Sequence, residues 1–146
     1  MPLMTHTDRD LIAELVHRYA DAVVYRDADR WGATWADDAR WTLGPGRDVT
    51  GRAAIVELWT KAMGNFAAVV QNVVNGEVAV SGDTASGRWY IMEHFRRANG
   101  EPGILLAHYD DTYTRVNGEW KFASRALAPQ YQGPPDLSAK FLNSVN

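Results

Sequence analysis

The fold is decided by residues 85–127, which read ASGRWYIMEHFRRANGEPGILLAHYDDTYTRVNGEWKFASRAL. Apolar and polar side chains alternate in three stretches, at residues 85–97, 104–116 and 119–127. A period of two indicates strands, and the intervening glycine-rich sequences at residues 99–103 and 117–118 indicate hairpin turns. The stretch therefore predicts an antiparallel meander. Its first strand is long enough that it must twist, and such strands curl.

Upstream of the meander the apolar period is mostly helical. A helix is predicted over residues 11–24 behind a cap at residues 7–10, and further helices over residues 28–35 and 53–63. Short strands are expected at residues 39–43, 67–75 and 77–80, and one or two helical turns near residues 137–142. Helices followed by long hairpins predict an α+β domain spanning residues 1–146, with three helices packed in a curved antiparallel sheet around a hollow.

Composition excludes several classes of function. The chain has 146 residues, a net charge of −3 and no cysteine, which removes disulfides and thiolate metal sites. An acidic balance predicts neither nucleic acid nor a membrane surface as partner. Residues 1–7 lack the features of a secretory signal, and no apolar run is long enough to span a bilayer. We therefore expect a soluble cytoplasmic protein.

Six short motifs resemble, in order, the nuclear transport factor 2-like superfamily and its SnoaL-like branch. They are YADA at residues 19–22, WADDARW at 35–41, GRAAI at 51–55, GDTASGRWY at 82–90, GEWKF at 118–122 and GPPDLS at 133–138. The resemblance implies a cone-shaped α+β barrel with a deep apolar pocket. The branch includes polyketide cyclases, dehydratases and a dehydrochlorinase, and usually needs no cofactor. Fold analogy alone does not select among these activities.

The resemblance also shows a loss. In the dehydrochlorinase and in scytalone dehydratase, an aspartate on the first helix orients a catalytic histidine. Those two positions correspond to Val24 and Gln71 here. Glutamine cannot accept the proton, so an Asp–His base is not expected, although Gln71 can hydrogen-bond a substrate oxygen.

Glu93 is the most suggestive residue of the long strand. A period of two places it on one face with Trp89, Ile91 and Phe95. A carboxyl group among such side chains is desolvated, which raises its pKa and suits general acid–base catalysis. The resemblance to a bile-acid dehydratase implies the same carboxylate with a tyrosine at Tyr19. The alternative is a Glu93 at the pocket mouth or a sheet edge, paired with arginine.

The first hairpin sets the neighbours of Glu93. A turn symmetric about Glu101 places Glu93 opposite Tyr109, and His94 opposite His108 on the other face. A one-residue slip would exchange the faces and make one of these histidines the base. The two histidines lack a visible third ligand at metal spacing, so no metal is predicted. An oligomer interface is the more ordinary place for such a pair.

The second hairpin allows two positions for Arg125. A two-residue turn at residues 117–118 places Arg125 opposite Asp110, whereas a three-residue loop places it opposite Tyr109. Relatives with a basic residue in the pocket favour the second arrangement. Arg125 would then stabilise an oxyanion or bind a carboxylate. The alternative is an ion pair with Asp110 or Asp111.

Together these residues predict a cofactor-free lyase or isomerase of the dehydratase or cyclase type. Its substrate would be a hydrophobic, polycyclic or aromatic small molecule. We assign catalysis to Glu93, Tyr19 and Arg125, and substrate contacts to Trp41, Gln71, Trp89, Ile91, Leu105 and Tyr109. A homo-oligomer, dimer or trimer, is expected. The alternatives are a non-catalytic binding or accessory protein with the same pocket, and a subunit that only mediates assembly.

Overall fold

A computed structural model describes residues 5–142 of the chain. Its elements, in chain order, are α1 Asp8–Tyr25, α2 Ala28–Gly32, β1 Trp35–Thr42, β2 Asp48–Thr50, α3 Arg52–Met63, β3 Phe66–Ser81, β4 Thr84–Arg97, β5 Pro102–Val116 and β6 Glu119–Gly133. The α+β class predicted from the sequence is confirmed. The prediction of one domain over residues 1–146 extends beyond the described residues and stays a prediction.

The strands form one curled, unclosed sheet in the order β2-β1-β6-β5-β4-β3. Neighbouring strands run antiparallel except β1 and β6, which pair in parallel. No hairpin joins β1 to β6, so nothing local forces them to run in opposite directions. The expected antiparallel sheet is therefore a mixed one at this position.

Helix α1 packs its apolar stripe against the sheet. Thr7 and Asp10 form a reciprocal capping box at its start, and Arg26 ends it in the left-handed conformation, with φ of 53°. The buried residues of the stripe are Ile12, Leu15, Val16, Tyr19, Ala20, Ala22 and Val23. Removing these side chains from water is the main stabilising contribution of this helix. Within residues 5–142, no helix is both long and apolar enough to cross a membrane.

Several predicted boundaries differ from the observed ones. Helix α2 ends at Gly32, so Trp35 begins β1 rather than sharing a helical face with Trp31. The two short strands expected after α3 are one continuous strand, β3, with a bulge between Val73 and Asn75. Residues 134–142 form turns and no helix, and β2 was not predicted.

Indole rings fill the centre of the core next to Tyr19. Trp31 stacks on Trp59 with ring centroids 4.5 Å apart, and its centroid lies 5.4 Å from that of Trp41. Farther along the sheet, Trp89 of β4 lies across Gly76 of β3, where a Cβ atom would stand only 2.4 Å from the indole. Glycine at that position therefore allows the large ring to lie flat against the sheet.

The predicted pairing of the first hairpin is wrong by four residues. Glu93 is opposite Leu105 instead of Tyr109, and His94 is opposite Ile104 instead of His108. The reason is the turn, which is formed by residues 98–100: Gly100 has a φ of 89°, and the Arg97 amide already donates to the Glu101 carbonyl at 2.8 Å. Because the shift is even, every side chain keeps its predicted face.

The second hairpin has the two-residue turn of the first predicted alternative, but Arg125 is opposite neither Asp110 nor Tyr109. Asn117 and Gly118 form a two-residue turn, both with positive φ. A register shift between Thr112 and Tyr113 then places Arg125 opposite Asp111. This irregularity brings two charged side chains face to face in the interior.

Candidate active site

The concave face of the sheet encloses a cavity of about 260 Å³ beneath α1 and α3. Its walls come from both helices, from β1 and from β3 to β6. They are lined by Tyr19, Val23, Trp41, Leu43, Arg47, Trp59, Ala62, Met63, Phe66, Gln71, Glu93, Leu105, Tyr109, Leu127, Pro129 and Gln132. An apolar cavity with a few polar groups has the composition of a small-molecule site.

Glu93 and Gln71 form the acid–amide pair of this cavity. They are directly opposite each other on β4 and β3, and the Gln71 amide Nε2 donates to Glu93 Oε2 at 2.9 Å. Burial raises the pKa of Glu93, and the hydrogen bond from Gln71 opposes that rise in part. The Gln71 Oε1 atom is buried with no hydrogen-bond partner among the described residues. The Gln71 amide group therefore uses its nitrogen in the pair but leaves its oxygen available to a ligand.

Two tyrosines provide hydroxyl groups to the same cavity. Tyr19 on α1 and Tyr109 on β5 are both buried, with their hydroxyl oxygens 3.5 Å apart. Burial raises the pKa of each phenol, and most strongly that of Tyr109. Both hydroxyls therefore remain protonated near neutral pH and act as hydrogen-bond donors.

Arg125 lies behind the tyrosines and is not among the residues that line the cavity. Its guanidinium carbon is 3.8 Å from the ring centroid of Tyr109 and 4.4 Å from that of Tyr19. It also donates from Nε and Nη2 to the two carboxylate oxygens of Asp111, at 2.8 and 3.1 Å. Of the predicted alternatives, the ion pair with Asp111 is the one that forms.

The Asp111 charge has a second donor, the Tyr113 hydroxyl at 2.7 Å. Burial alone would lower the pKa of Arg125, but the charge of Asp111 and the hydrogen bonds to it raise that pKa overall. The guanidinium is therefore a permanent cation under both phenol rings.

The predicted substrate contacts divide into two groups. Trp41, Gln71, Leu105 and Tyr109 line the cavity, whereas Trp89 and Ile91 do not. Ile91 is buried in the core, and the Trp89 ring packs near His17, with centroids 6.0 Å apart. The division arises because residues on one strand face share a direction but lie at different positions along the sheet.

The histidines of the outer face are placed apart. His94 is exposed, while His108 contacts the Gln130 amide at 2.9 Å and Asp110 at 3.3 Å. Among residues 5–142, no group of three or more histidine, aspartate or glutamate side chains is arranged to hold a metal ion.

Sequence reasoning missed several lining residues, most notably Arg47 and Gln132. Arg47 follows the sequence Gly44-Pro45-Gly46, which identifies a turn but not its position over the cavity. Gln132 belongs to the end of β6, which was interpreted as a loop. The glycine-rich turn before Arg47 was the one local signal in the sequence. Only tertiary contacts place that turn over the cavity.

Comparison with known proteins gives a family match and a curated relative. Residues 4–126 match the model of the SnoaL-like domain. An uncharacterized protein of Mycobacterium tuberculosis, Rv2910c, is 26% identical over 129 residues, covering 86% of this chain and 88% of the relative.

Solved structures share the fold over nearly the whole chain. One, provisionally named a scytalone dehydratase, from Novosphingobium aromaticivorans, has a TM-score of 0.82 at 23% identity and covers 94% of this chain and 93% of its own. The hexachlorocyclohexane dehydrochlorinase LinA-type3 of Novosphingobium barchaimii has a TM-score of 0.77 at 21% identity, with 93% and 94% covered. At these identities the likeness establishes a common fold.

Proposed function

Because the chain belongs to the SnoaL-like domain family, we propose that it is a cofactor-independent lyase or isomerase of the dehydratase or cyclase type. Its substrate is a hydrophobic aromatic or polycyclic small molecule. One observation carries the proposal: a desolvated carboxyl group, Glu93, lies in an apolar cavity together with two buried phenol donors. This is the pairing of base and electrophile that enolisation of a ketone requires.

Glu93 is the proposed general base. Its raised pKa brings the carboxylate closer to the pKa range in which proton abstraction from carbon is effective near neutral pH. The hydrogen bond from Gln71 holds one carboxylate oxygen at 2.9 Å and leaves the other for the substrate. This arrangement replaces the Asp–His base whose positions are occupied by Val24 and Gln71.

Tyr19 and Tyr109 are the proposed electrophiles. Their hydroxyls donate to the carbonyl oxygen on which negative charge develops. Arg125 supports them as a positioning residue, since its cation under both rings favours a developing negative charge at the hydroxyl end.

The elimination balances without a co-reactant. The carboxylate of Glu93 takes the proton α to the carbonyl, and the C–H electrons form an enolate that the tyrosines stabilise. The enolate electrons then form the C=C bond as the β-hydroxyl group leaves. That group receives the proton held by Glu93, so water is released and the carboxylate is restored.

The cavity size supports a compact substrate. A volume of about 260 Å³ lies just below the range of roughly 300 to 1,000 Å³ found for typical ligand pockets. One or two fused rings are therefore a better fit than a larger polycycle. Trp41 and Trp59 offer flat apolar surfaces to such rings.

The second candidate is a non-catalytic binding protein with the same pocket. The observation that favours it is the replacement of the family's dyad positions by Val24 and Gln71, neither of which transfers protons. A cytoplasmic location and assembly into a dimer or trimer also belong to the proposal and are supported only by the sequence and the resemblance.

The test uses Glu93→Gln, which keeps the shape and removes the base. With a bicyclic β-hydroxyketone such as 3-hydroxy-1-tetralone, dehydration to 1-naphthol is followed by absorbance. We expect kcat to fall by at least about a hundredfold. The control, Glu101→Gln, removes an exposed carboxylate next to the turn at residues 98–100 and should leave the rate unchanged.

Retained turnover in Glu93→Gln contradicts the assignment of Glu93 as the base. Tight binding of ring ketones by the native protein, without turnover of any of them and without change in Glu93→Gln, supports the binding protein instead.

A further inference from the structure

The polar groups of the cavity differ in their exposure to solvent. Glu93, Gln71, Tyr19 and Tyr109 are buried or largely buried. Of the residues that line the cavity, only Arg47 and Gln132 are exposed, so they mark the opening to solvent. The other residues that line the cavity are apolar. A ligand that meets both the exposed and the buried polar groups is therefore amphipathic, with an apolar body and two polar functions.

Arg47 is held at the opening by its own turn. Its amide donates to the Gly44 carbonyl at 3.0 Å, and its carbonyl accepts from the Leu43 amide at 3.0 Å. Gly46 has a φ of 71°, which glycine adopts without strain, so the chain can turn sharply just before Arg47. The backbone of this residue is thus fixed by two hydrogen bonds.

The Arg47 side chain carries a charge that the protein does not use. None of the ion pairs formed among residues 5–142 involves Arg47. The nearby Asp48 is already paired with Arg40. The cavity lining contains a single acidic residue, Glu93, whose carboxylate accepts a hydrogen bond from Gln71. Arg47 is therefore available to an anion that arrives from solvent.

We propose that Arg47 binds the carboxylate of the ligand, so that the substrate class is an aromatic or alicyclic ring acid. The apolar ring body fills the cavity, and an oxygen function on it meets the buried Tyr19 and Tyr109. Arginine suits this position because its planar guanidinium pairs with both carboxylate oxygens at once. Gln132, on the same rim, offers an amide donor to the same group.

The assignment of Glu93 and the two tyrosines as the reactive groups rests on the proposed function, but binding of the acid does not. Charge at a rim changes affinity modestly, because solvent and salt screen it. A discrimination of about tenfold between an acid and its neutral analogue is the scale expected of one charge-assisted contact there.

The test compares 2-naphthoate with 2-naphthamide, which has nearly the same shape and no charge. Dissociation constants are measured by calorimetry or by quenching of the cavity tryptophans. We expect the native protein to prefer the acid by about tenfold, and Arg47→Gln to remove that preference while changing the amide affinity by less than about twofold. Raising the salt concentration should weaken binding of the acid and leave binding of the amide unchanged.

Arg96→Gln is the matched control. It makes the same charge change at an exposed residue that does not line the cavity, so both affinities should stay unchanged. Equal binding of acid and amide by the native protein overturns the proposal. So does equal weakening of both ligands by Arg47→Gln, which would indicate a role of Arg47 in holding the turn.

The two proposals fail separately. An Arg47-dependent preference for the acid, with no turnover of hydroxyketones, leaves the ring-acid site intact and removes the lyase. Turnover that depends on Glu93, with no preference for the acid, supports the lyase and removes the ring-acid site.

Discussion

Two interior carboxyl groups on neighbouring strands have opposite environments. Asp111 of β5 is fully buried and accepts from the Arg125 guanidinium twice and from the Tyr113 hydroxyl. Within residues 5–142, Glu93 of β4 accepts one hydrogen bond, from the uncharged Gln71 amide. Asp111 is satisfied by the fold, whereas Glu93 lies in a cavity and still has unmet bonding capacity.

The difference indicates a structural role for Asp111 and a chemical role for Glu93. The Asp111 carboxylate is paired with a buried cation and accepts a further hydrogen bond, so its bonding capacity is used within the fold. Burial raises the pKa of Glu93, and a perturbed carboxyl group in a cavity is a candidate for acid–base chemistry. The contrast with Asp111 thus supports Glu93 as the reactive group.

The largest effect should follow from Asp111→Asn. This change leaves the Arg125 cation buried without its counter-ion, so the free energy of unfolding should fall by roughly 3 to 5 kcal/mol. Chemical denaturation followed by tryptophan fluorescence measures it. The neighbouring Asp110→Asn is the control: Asp110 is half exposed and pairs with Arg88, so its loss should cost about 0.5 kcal/mol. Equal effects of the two changes would contradict the contrast.

Glu93→Gln should act in the opposite direction on stability. Because the pKa of Glu93 is raised in the fold, the carboxylate at pH 7 weakens the folded state. The amide removes that cost, so the free energy of unfolding at pH 7 should rise by about 1 kcal/mol. The gain should disappear as the pH falls through the pKa of an exposed glutamate, where Glu93 is protonated in both states. A loss of stability at pH 7 would contradict the assignment.

The smallest effect concerns Gln71→Leu. Removing the Gln71 amide takes away the one hydrogen bond that lowers the pKa of Glu93, so that pKa should rise further. The acidic limb of the profile of log kcat against pH should then move to higher pH, while the plateau above it changes little. A limb that stays in place would mean that Gln71 does not influence the base.

Much of the fold followed from local patterns. The alternation in residues 85–97 predicted that Glu93, Trp89 and Ile91 face inward together, and all three are buried or largely buried. The hairpin prediction was wrong by four residues, yet it preserved every face because the error was even. The motif order also predicted the family, which the match over residues 4–126 confirms.

The candidate site was predicted less completely. Trp41, Gln71, Glu93, Leu105 and Tyr109 were predicted and line the cavity. The same pattern included Trp89 and Ile91, which do not, since alternation says nothing about distance along the sheet. Arg47 and Gln132 were missed because a turn and a strand end have no periodicity from which their direction could be inferred.

By itself, the sequence determined which residues share a face in the strand at residues 85–97, because side chains alternate along a strand. It also determined the helical stripe of α1 and the absence of cysteine chemistry. Only the tertiary structure decided that Glu93 meets Gln71, that Arg125 meets Asp111 through a shifted register, and that Arg47 stands at the opening. Those contacts join residues far apart in the chain, and their positions depend on turn geometry and packing.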